Sequence, residues 1–204
     1  MNNIERIFKA KESTQHFVKS YLEYLKTVLD QINLDEVTKF IETIKSAREN
    51  NQFVYFIGNG GSAATASHFA NDLAIGTRSS KKPFRVMSLT DNVAVMTAIG
   101  NDFGYDELFT KQLSAYLKPN DVVVAISASG NSPNVVKALE FAKTMSAKTV
   151  SITGFDGGKI KSSADINLHV PTQKGEYGPV EDVHMIFDHI VGNYFMHLCR
   201  EEAN

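Results

Sequence analysis

The sequence predicts an α/β fold: a three-layer sandwich with a five-stranded parallel sheet between helices, preceded by N-terminal helices. Three features predict it. Beyond Asn51, short β-branched and aromatic runs alternate with helical segments, the pattern of strands joined by helical crossovers. The runs are almost continuously apolar, as strands covered on both faces must be. The first fifty residues differ, having no Gly or Pro between positions 4 and 47.

In that first segment, 1–50, apolar residues recur at helical spacing: Phe17, Tyr21, Tyr24, Leu25, Val28 and Leu29, then Val37, Phe40, Ile41 and Ile44. Two amphipathic helices account for this, broken near "INLDE", where Asn33 or Asp35 caps the second. Their apolar stripes need a partner, either the main domain or a second subunit. The segment 51–204 is read as the main domain, with strands expected at 53–57, 84–89, 122–126, 149–153 and 166–170. The helical stretches "GSAATASHFANDLA", "NVAVMTAIG", "SPNVVKALEFAKTM" and "GGKIKSSA" lie between them, and "VEDVHMIFDHIVGNYFMHL" closes the chain as a long helix. In such sheets ligands bind beyond the carboxyl ends of the strands, so function is expected in the loops that follow them.

Composition narrows the class. The 204 residues are 43% hydrophobic, enough for one substantial core. With 21 basic and 23 acidic residues the net charge is -2, which gives no general attraction to nucleic acid or anionic lipid. The single cysteine, Cys199, excludes an internal disulfide and fits a reducing compartment. No signal-like or membrane-spanning run is present in the sequence, and a cytoplasmic location is expected.

Two loops carry anion-binding chemistry. In "YFIGNGGSAATASHFANDL", Gly58, Gly60 and Gly61 let the backbone turn sharply after a strand, and Ser62 opens a helix whose free amides favour an anion. Alone, "GNGGSA" also satisfies a relaxed dinucleotide fingerprint, or marks a tight corner without a ligand. A second strand-to-helix turn, "VVVAISASGNSPNVV", supplies Ser127, Ser129, Gly130 and Ser132, with Pro133 suited to a first helical turn. Two such loops converging on one phosphate suit a sugar phosphate better than a dinucleotide, which gives the serine loop no role and places Asp91 late for a ribose.

Together, "GNGGSAATASHFANDL", "IGNDFGYDELF", "ISASGNSPNVVKALEFAK" and "ITGFDGGKI" resemble the sugar isomerase (SIS) domain and, within it, the phosphoheptose isomerase family, over essentially the whole chain. The resemblance implies a homotetramer with the N-terminal helices at its core and a phosphosugar substrate. By motif match, Ser62, Ser127, Ser129 and Ser132 would hold the phosphate, Asn59, Gly60 and Gly61 would shape the first loop, and Asp102 would face the pocket.

An aldose-ketose isomerase moves one proton between neighbouring carbons and another between their oxygens, so it needs an acid and a base, or a metal that stabilises the enediolate. His68 and Asp72 are four apart on a helix and share a face. Glu181, His184, Asp188 and His189 form a broad stripe on the last helix. A solvated helix face is the plain reading of the stripe, Asp188 included, and a satisfied structural residue is the plain reading of a lone histidine such as His184. For the others the resemblance implies more: Asp72 and His189 as catalytic residues, and His68, Asp72, Glu181 and His189 as zinc ligands, with Glu181 also near substrate. The chain departs from the family pattern with Asp72 in place of Glu and Glu181 in place of Gln. Gly76 replaces a frequent Arg, and the loop before the last helix lacks its usual Asp, for which Glu176 or Glu181 would substitute. The activity implied is isomerisation of sedoheptulose 7-phosphate for a bacterial surface glycan. The alternatives are another phosphoketose or a non-catalytic scaffold of the replication-initiator-binding type.

Overall fold

A computed structural model describes residues 1–10, 13–79 and 81–203. The sequence suggests two helices before the sheet; the structure has three, α1 (Asn3–Lys9), α2 (Thr14–Leu29) and α3 (Leu34–Glu49). The division comes from Ser13, which is extended (φ -146°, ψ 163°) and accepts from the His16 amide, a cap that starts α2 afresh. Residues 11 and 12, within the first expected helix, lie outside the described residues. Asn33, rather than Asp35, caps α3, accepting from the amides of Asp35 and Glu36.

The main domain then runs β1 (Phe53–Gly58), α4 (Gly61–Asn71), β2 (Arg85–Ser88), α5 (Val93–Asp102), α6 (Leu108–Tyr116), β3 (Val122–Ser127), α7 (Pro133–Thr144), β4 (Lys148–Thr153), α8 (Gly158–Ser163), β5 (Ile166–His169) and α9 (Tyr177–Ala203). All the strand pairs are parallel, in the order β2-β1-β3-β4-β5. The order reverses between β1 and β3, whose registers pair Gly58 with Ile126. Such a switch point leaves a crevice outside the strand ends, and here the Gly-rich and Ser-rich loops open side by side into it.

Alternating side chains along each strand feed two cores. Val54, Phe56, Val124, Ile126, Ile152 and Leu168 pack with Phe40 of α3, Phe69 of α4 and Phe187, Val191 and Phe195 of α9. Tyr55, Ile57, Val123 and Ala125 pack on the other face with Phe109 and Leu113 of α6, Val135 and Leu139 of α7 and Ile160 of α8. Each fully buried large apolar side chain contributes about 1.5–3 kcal/mol.

The N-terminal helices are tied to the approach to α9 through Glu176, which is 1% exposed. Its carboxylate accepts from the Asn3 amide (2.6 Å), the Tyr24 hydroxyl (2.5 Å) and the Gln173 amide (2.9 Å). Burial and this contact push the Tyr24 hydroxyl up to about 12. One turn into α9, Asp182 accepts from the Tyr21 hydroxyl at 2.6 Å. At the opposite end of α9, Glu202 pairs with the buried Arg48 of α3 at 2.6 Å. Among the described residues no helix is long and apolar enough to cross a membrane.

Candidate active site

The loop after β1 turns at Gly60, whose φ of +53° favours glycine, and α4 starts at Gly61 with no side-chain cap. Its first amides are therefore available to an anion. Ser62 is 6% exposed. Asn59 is held by reciprocal amide bonds to Asn134 (2.8 and 2.9 Å), while its Oδ1 also accepts from the Tyr105 hydroxyl (3.0 Å). Asn134 belongs to the first turn of α7, so the two loops are fastened to each other through side-chain amides.

The loop after β3 is folded by its own serines. Ser127 Oγ accepts from the Gly130 amide at 3.1 Å and lies 3.4 Å from Ser132 Oγ; Ser129 Oγ accepts from the Asn131 amide. Gly130 has φ +62°, and a Cβ there would lie 1.9 Å from the Gly157 carbonyl oxygen. Only glycine lets the serine loop lie so close to the loop before α8. Asn59, Ser62, Ser127, Ser129, Ser132 and Glu181 line one cavity of about 150 Å³, with Tyr177 at its edge. That is room for a phosphate group. A dinucleotide needs a larger cleft, and Asp91, its candidate ribose partner, is taken by the Ser67 and Thr90 hydroxyls. A further cavity of about 400 Å³ adjoins through Ser129 and Tyr177, with Lys174 on its wall.

The titratable side chains gather farther along α4 and α9. His68 Nε2 lies 3.5 Å from Asp72 Oδ2 and 3.6 Å from Asp188 Oδ2. The His68 and His189 rings are 5.3 Å apart at 70°. One ligand atom from each of His68, Asp72, Asp188 and His189 can be chosen so that all lie within 4.8 Å of one another. Helical spacing aligns His68 with Asp72 as expected, but the backbone changes there: Asp72–Gly76 forms a π-helical turn closed by a bond from the Thr77 amide to the Asp72 carbonyl (2.9 Å). α9 lies against this turn at Gly192, where a Cβ would sit 3.4 Å from Asp72, at ordinary contact distance.

The solvated-face reading of Asp188 does not hold, because it is 0% exposed, as is His184, whose burial agrees with a structural histidine. α9 turns this part of its polar stripe inward. His184 Nε2–H donates to the Thr153 carbonyl at 3.3 Å, its Nδ1 has no partner, and burial pushes it down to about 4. It is a neutral, structural histidine of this same chain. Neither carboxylate oxygen of Asp188 has a hydrogen-bond partner, and burial, reinforced by the Asp72 charge, pushes it up to about 7. Glu181 stands elsewhere: a Cβ on Gly61 would meet both its carboxylate oxygens at 2.7 Å, so its head group covers the start of α4 beside the serines. Asp102 is exposed at the end of α5, where its Oδ1 accepts from Asn101, and among the described residues it makes no hydrogen bond to the serine loops.

Sequence reasoning had no means of singling out Asp188. Its spacing fits a polar stripe as well as a site, and only the packing of α9 against α4 shows a carboxylate enclosed there.

Residues 16–154 match the family model of the SIS domain. The phosphoheptose isomerase of Aliarcobacter butzleri is 36% identical over 180 residues, covering 85% of this chain and 92% of its own length. That of Helicobacter pylori (strain ATCC 700392 / 26695) is 38% identical over 190 residues, 93% of this chain and 92% of its own. Among solved structures, the phosphoheptose isomerase of Neisseria gonorrhoeae superposes with a TM-score of 0.80 at 29% identity, covering 90% of this chain and 98% of that one. A phosphate-sized crevice at the switch point, acid-base side chains along the same two helices, and kinship over nearly the full length agree: the chain belongs to the phosphoheptose isomerase family of SIS-domain proteins.

Proposed function

We propose that the chain is an aldose-ketose isomerase that converts sedoheptulose 7-phosphate to D-glycero-D-manno-heptose 7-phosphate, for a bacterial surface glycan, as a cytoplasmic homotetramer. The observation that carries the reading is the division of α4. Ser62 stands in its first turn at the phosphate-sized cavity, and His68 follows six residues later, about 9 Å of helix rise away. That separation suits a sugar held by its terminal phosphate with its carbonyl end at the histidines.

In this reading Ser62, Ser127, Ser129 and Ser132 hold the phosphate through hydroxyls and loop amides. Among the described residues no cationic side chain lines that cavity, which suits a product that must leave. Glu181 accepts hydrogen bonds from sugar hydroxyls next to the phosphate. Asp72 takes the proton from C1 of the ketose and returns it to C2, while His189 moves a proton between the two oxygens. Asp102 would meet substrate only where a neighbouring subunit closes the cleft.

The donor set also fits a divalent metal: two imidazoles and two carboxylates stand within reach of one another, and one carboxylate is buried without any hydrogen-bond donor. His68, Asp72 and His189 would hold zinc, one ion per subunit. When bound, the ion would supply positive charge to stabilise the enediolate. The segment 1–50 supports assembly, because Phe8, Val18 and Leu22 present exposed apolar side chains.

Purified protein given sedoheptulose 7-phosphate should yield the aldose. The Asp72→Asn variant should lose about 10²–10⁴-fold in kcat, with binding of inorganic phosphate retained. No aldose from the wild type, with and without added zinc, would overturn the substrate assignment.

A further inference from the structure

The carboxylate that the reaction above does not use is Asp188, and the physical problem it presents is specific. An ionised carboxylate with 0% exposure and two unbonded oxygens is costly to bury, and such groups are found paired or on a cation. No lysine or arginine pairs with it among the described residues; the nearest histidine nitrogen is His68 Nε2, at 3.6 Å and too long for a good hydrogen bond. Asp72, the other acidic neighbour, adds repulsion. Two carboxylates and two imidazoles that converge, with no donor to Asp188 among the described residues, form a cation-binding arrangement.

We infer that Asp188, and not Glu181, completes a divalent-metal site with His68, Asp72 and His189; this rests on the metal reading of the same site and changes its membership. Distance along α9 decides between the two acids. Glu181 is eight residues from His189, about 12 Å of rise, so the two would have to reach toward each other across two turns. Its carboxylate instead lies over Gly61 and lines the phosphate cavity. Neighbours on a helix point about 100° apart, yet a carboxylate oxygen of Asp188 lies within 4.8 Å of ligand atoms of His68, Asp72 and His189.

The shortened Asp72 gives the arrangement its logic. A side chain one methylene shorter than Glu reaches less far from α4. Gly192, one turn beyond Asp188, faces Asp72 at ordinary contact distance, so α9 lies directly against it. The approach of α9 carries Asp188 in as the second carboxylate. The ligand set then has two neutral imidazoles and two carboxylates, which balances a dication, and Glu181 is left to the sugar.

The test uses the full chain stripped with a chelator and titrated with zinc alone, followed by calorimetry, metal analysis after dialysis, and thermal melting. Wild type should bind one zinc per chain and melt higher with it. Glu181→Ala should keep zinc affinity within about threefold, whereas Asp188→Asn should weaken it by about 10–100-fold or more. Asp188→Leu guards against a merely structural role. Removing a buried unpaired carboxylate should raise the melting temperature of the metal-free protein while abolishing the zinc-induced rise. Wild-type zinc affinity in both Asp188 variants, loss of zinc with Glu181→Ala, or no zinc bound by the wild type would each overturn the inference. Failure of the substrate reading is seen separately, as zinc binding that depends on Asp188 without turnover of sedoheptulose 7-phosphate.

Discussion

The phosphate cavity and the His/Asp cluster share two helices, α4 and α9, yet they are built on different principles. The cavity is made by loops that each lie within a few residues of a strand end, and its shape is set by backbone: positive φ at Gly60 and Gly130, and serine hydroxyls bonded to the amides of their own loop. The cluster has almost no backbone component. It joins side chains from 68 and 72 with side chains from 188 and 189, and exists only because α9 packs on the π-helical turn after α4. Local chemistry fixes the anchor for the phosphate, and tertiary packing fixes the groups that would act on the sugar. The two should therefore respond to different perturbations.

The largest effect is expected from Gly130→Ala. A Cβ 1.9 Å from the Gly157 carbonyl, on a residue at φ +62°, cannot be accommodated without moving one of the two loops. The expected cost is about 3–5 kcal/mol, seen as a lower melting temperature by roughly 6–20 °C, with inorganic phosphate binding lost. Unchanged phosphate binding would mean that the serine loop is not the anchor.

Acid should act through α9, the helix common to both regions. His184 binds a proton near its ordinary 6.5 when unfolded and only near about 4 when folded. Between these values the unfolded chain holds more protons, so the stability His184 contributes is complete above pH 6.5 and drains away as pH falls toward 4. The total is on the order of 3 kcal/mol. Denaturant melts at pH 7, 5.5 and 4.5 measure it, and His184→Gln should flatten the slope in that window.

The smallest effect sharpens the separation. Ser132→Ala removes one hydroxyl from the cavity and should weaken inorganic phosphate about 2–12-fold, the worth of one hydrogen bond, while zinc affinity stays at the wild-type value. Coupled losses of both ligands would show that the two regions are one unit.

The same contrast explains what could be read from the sequence. The strands at 53–57 and 122–126 were legible because apolar runs ended by Gly or Ser have few other uses, and the loops followed from them. The pairing of those loops also needed the strand order, which a β-α alternation suggests without fixing. On α9 the pattern was ambiguous: Glu181, His184, Asp188 and His189 share one stripe, and spacing alone does not say which residues α4 and the sheet will cover. Packing sorted them into an acid beside the serine loop, a structural histidine and two members of the cluster. The N-terminal break at Ser13 was missed for a similar reason, since a run without Gly or Pro hides a serine cap.

Glu176 gives the N-terminal helices a consequence beyond packing. Its carboxylate grips the Asn3 amide and the Tyr24 hydroxyl from one side and the Gln173 amide from the other. Tyr177, which edges the phosphate cavity, is the next residue. The chain thus has a mechanical linkage pinned at Glu176, with the Tyr21–Asp182 bond as a second tie one turn farther on. A displacement of α1 or α2 by a fused tag or a neighbouring subunit is delivered to the rim of the anion pocket through Glu176, some 150 residues from Tyr24 in sequence and bonded to it in space.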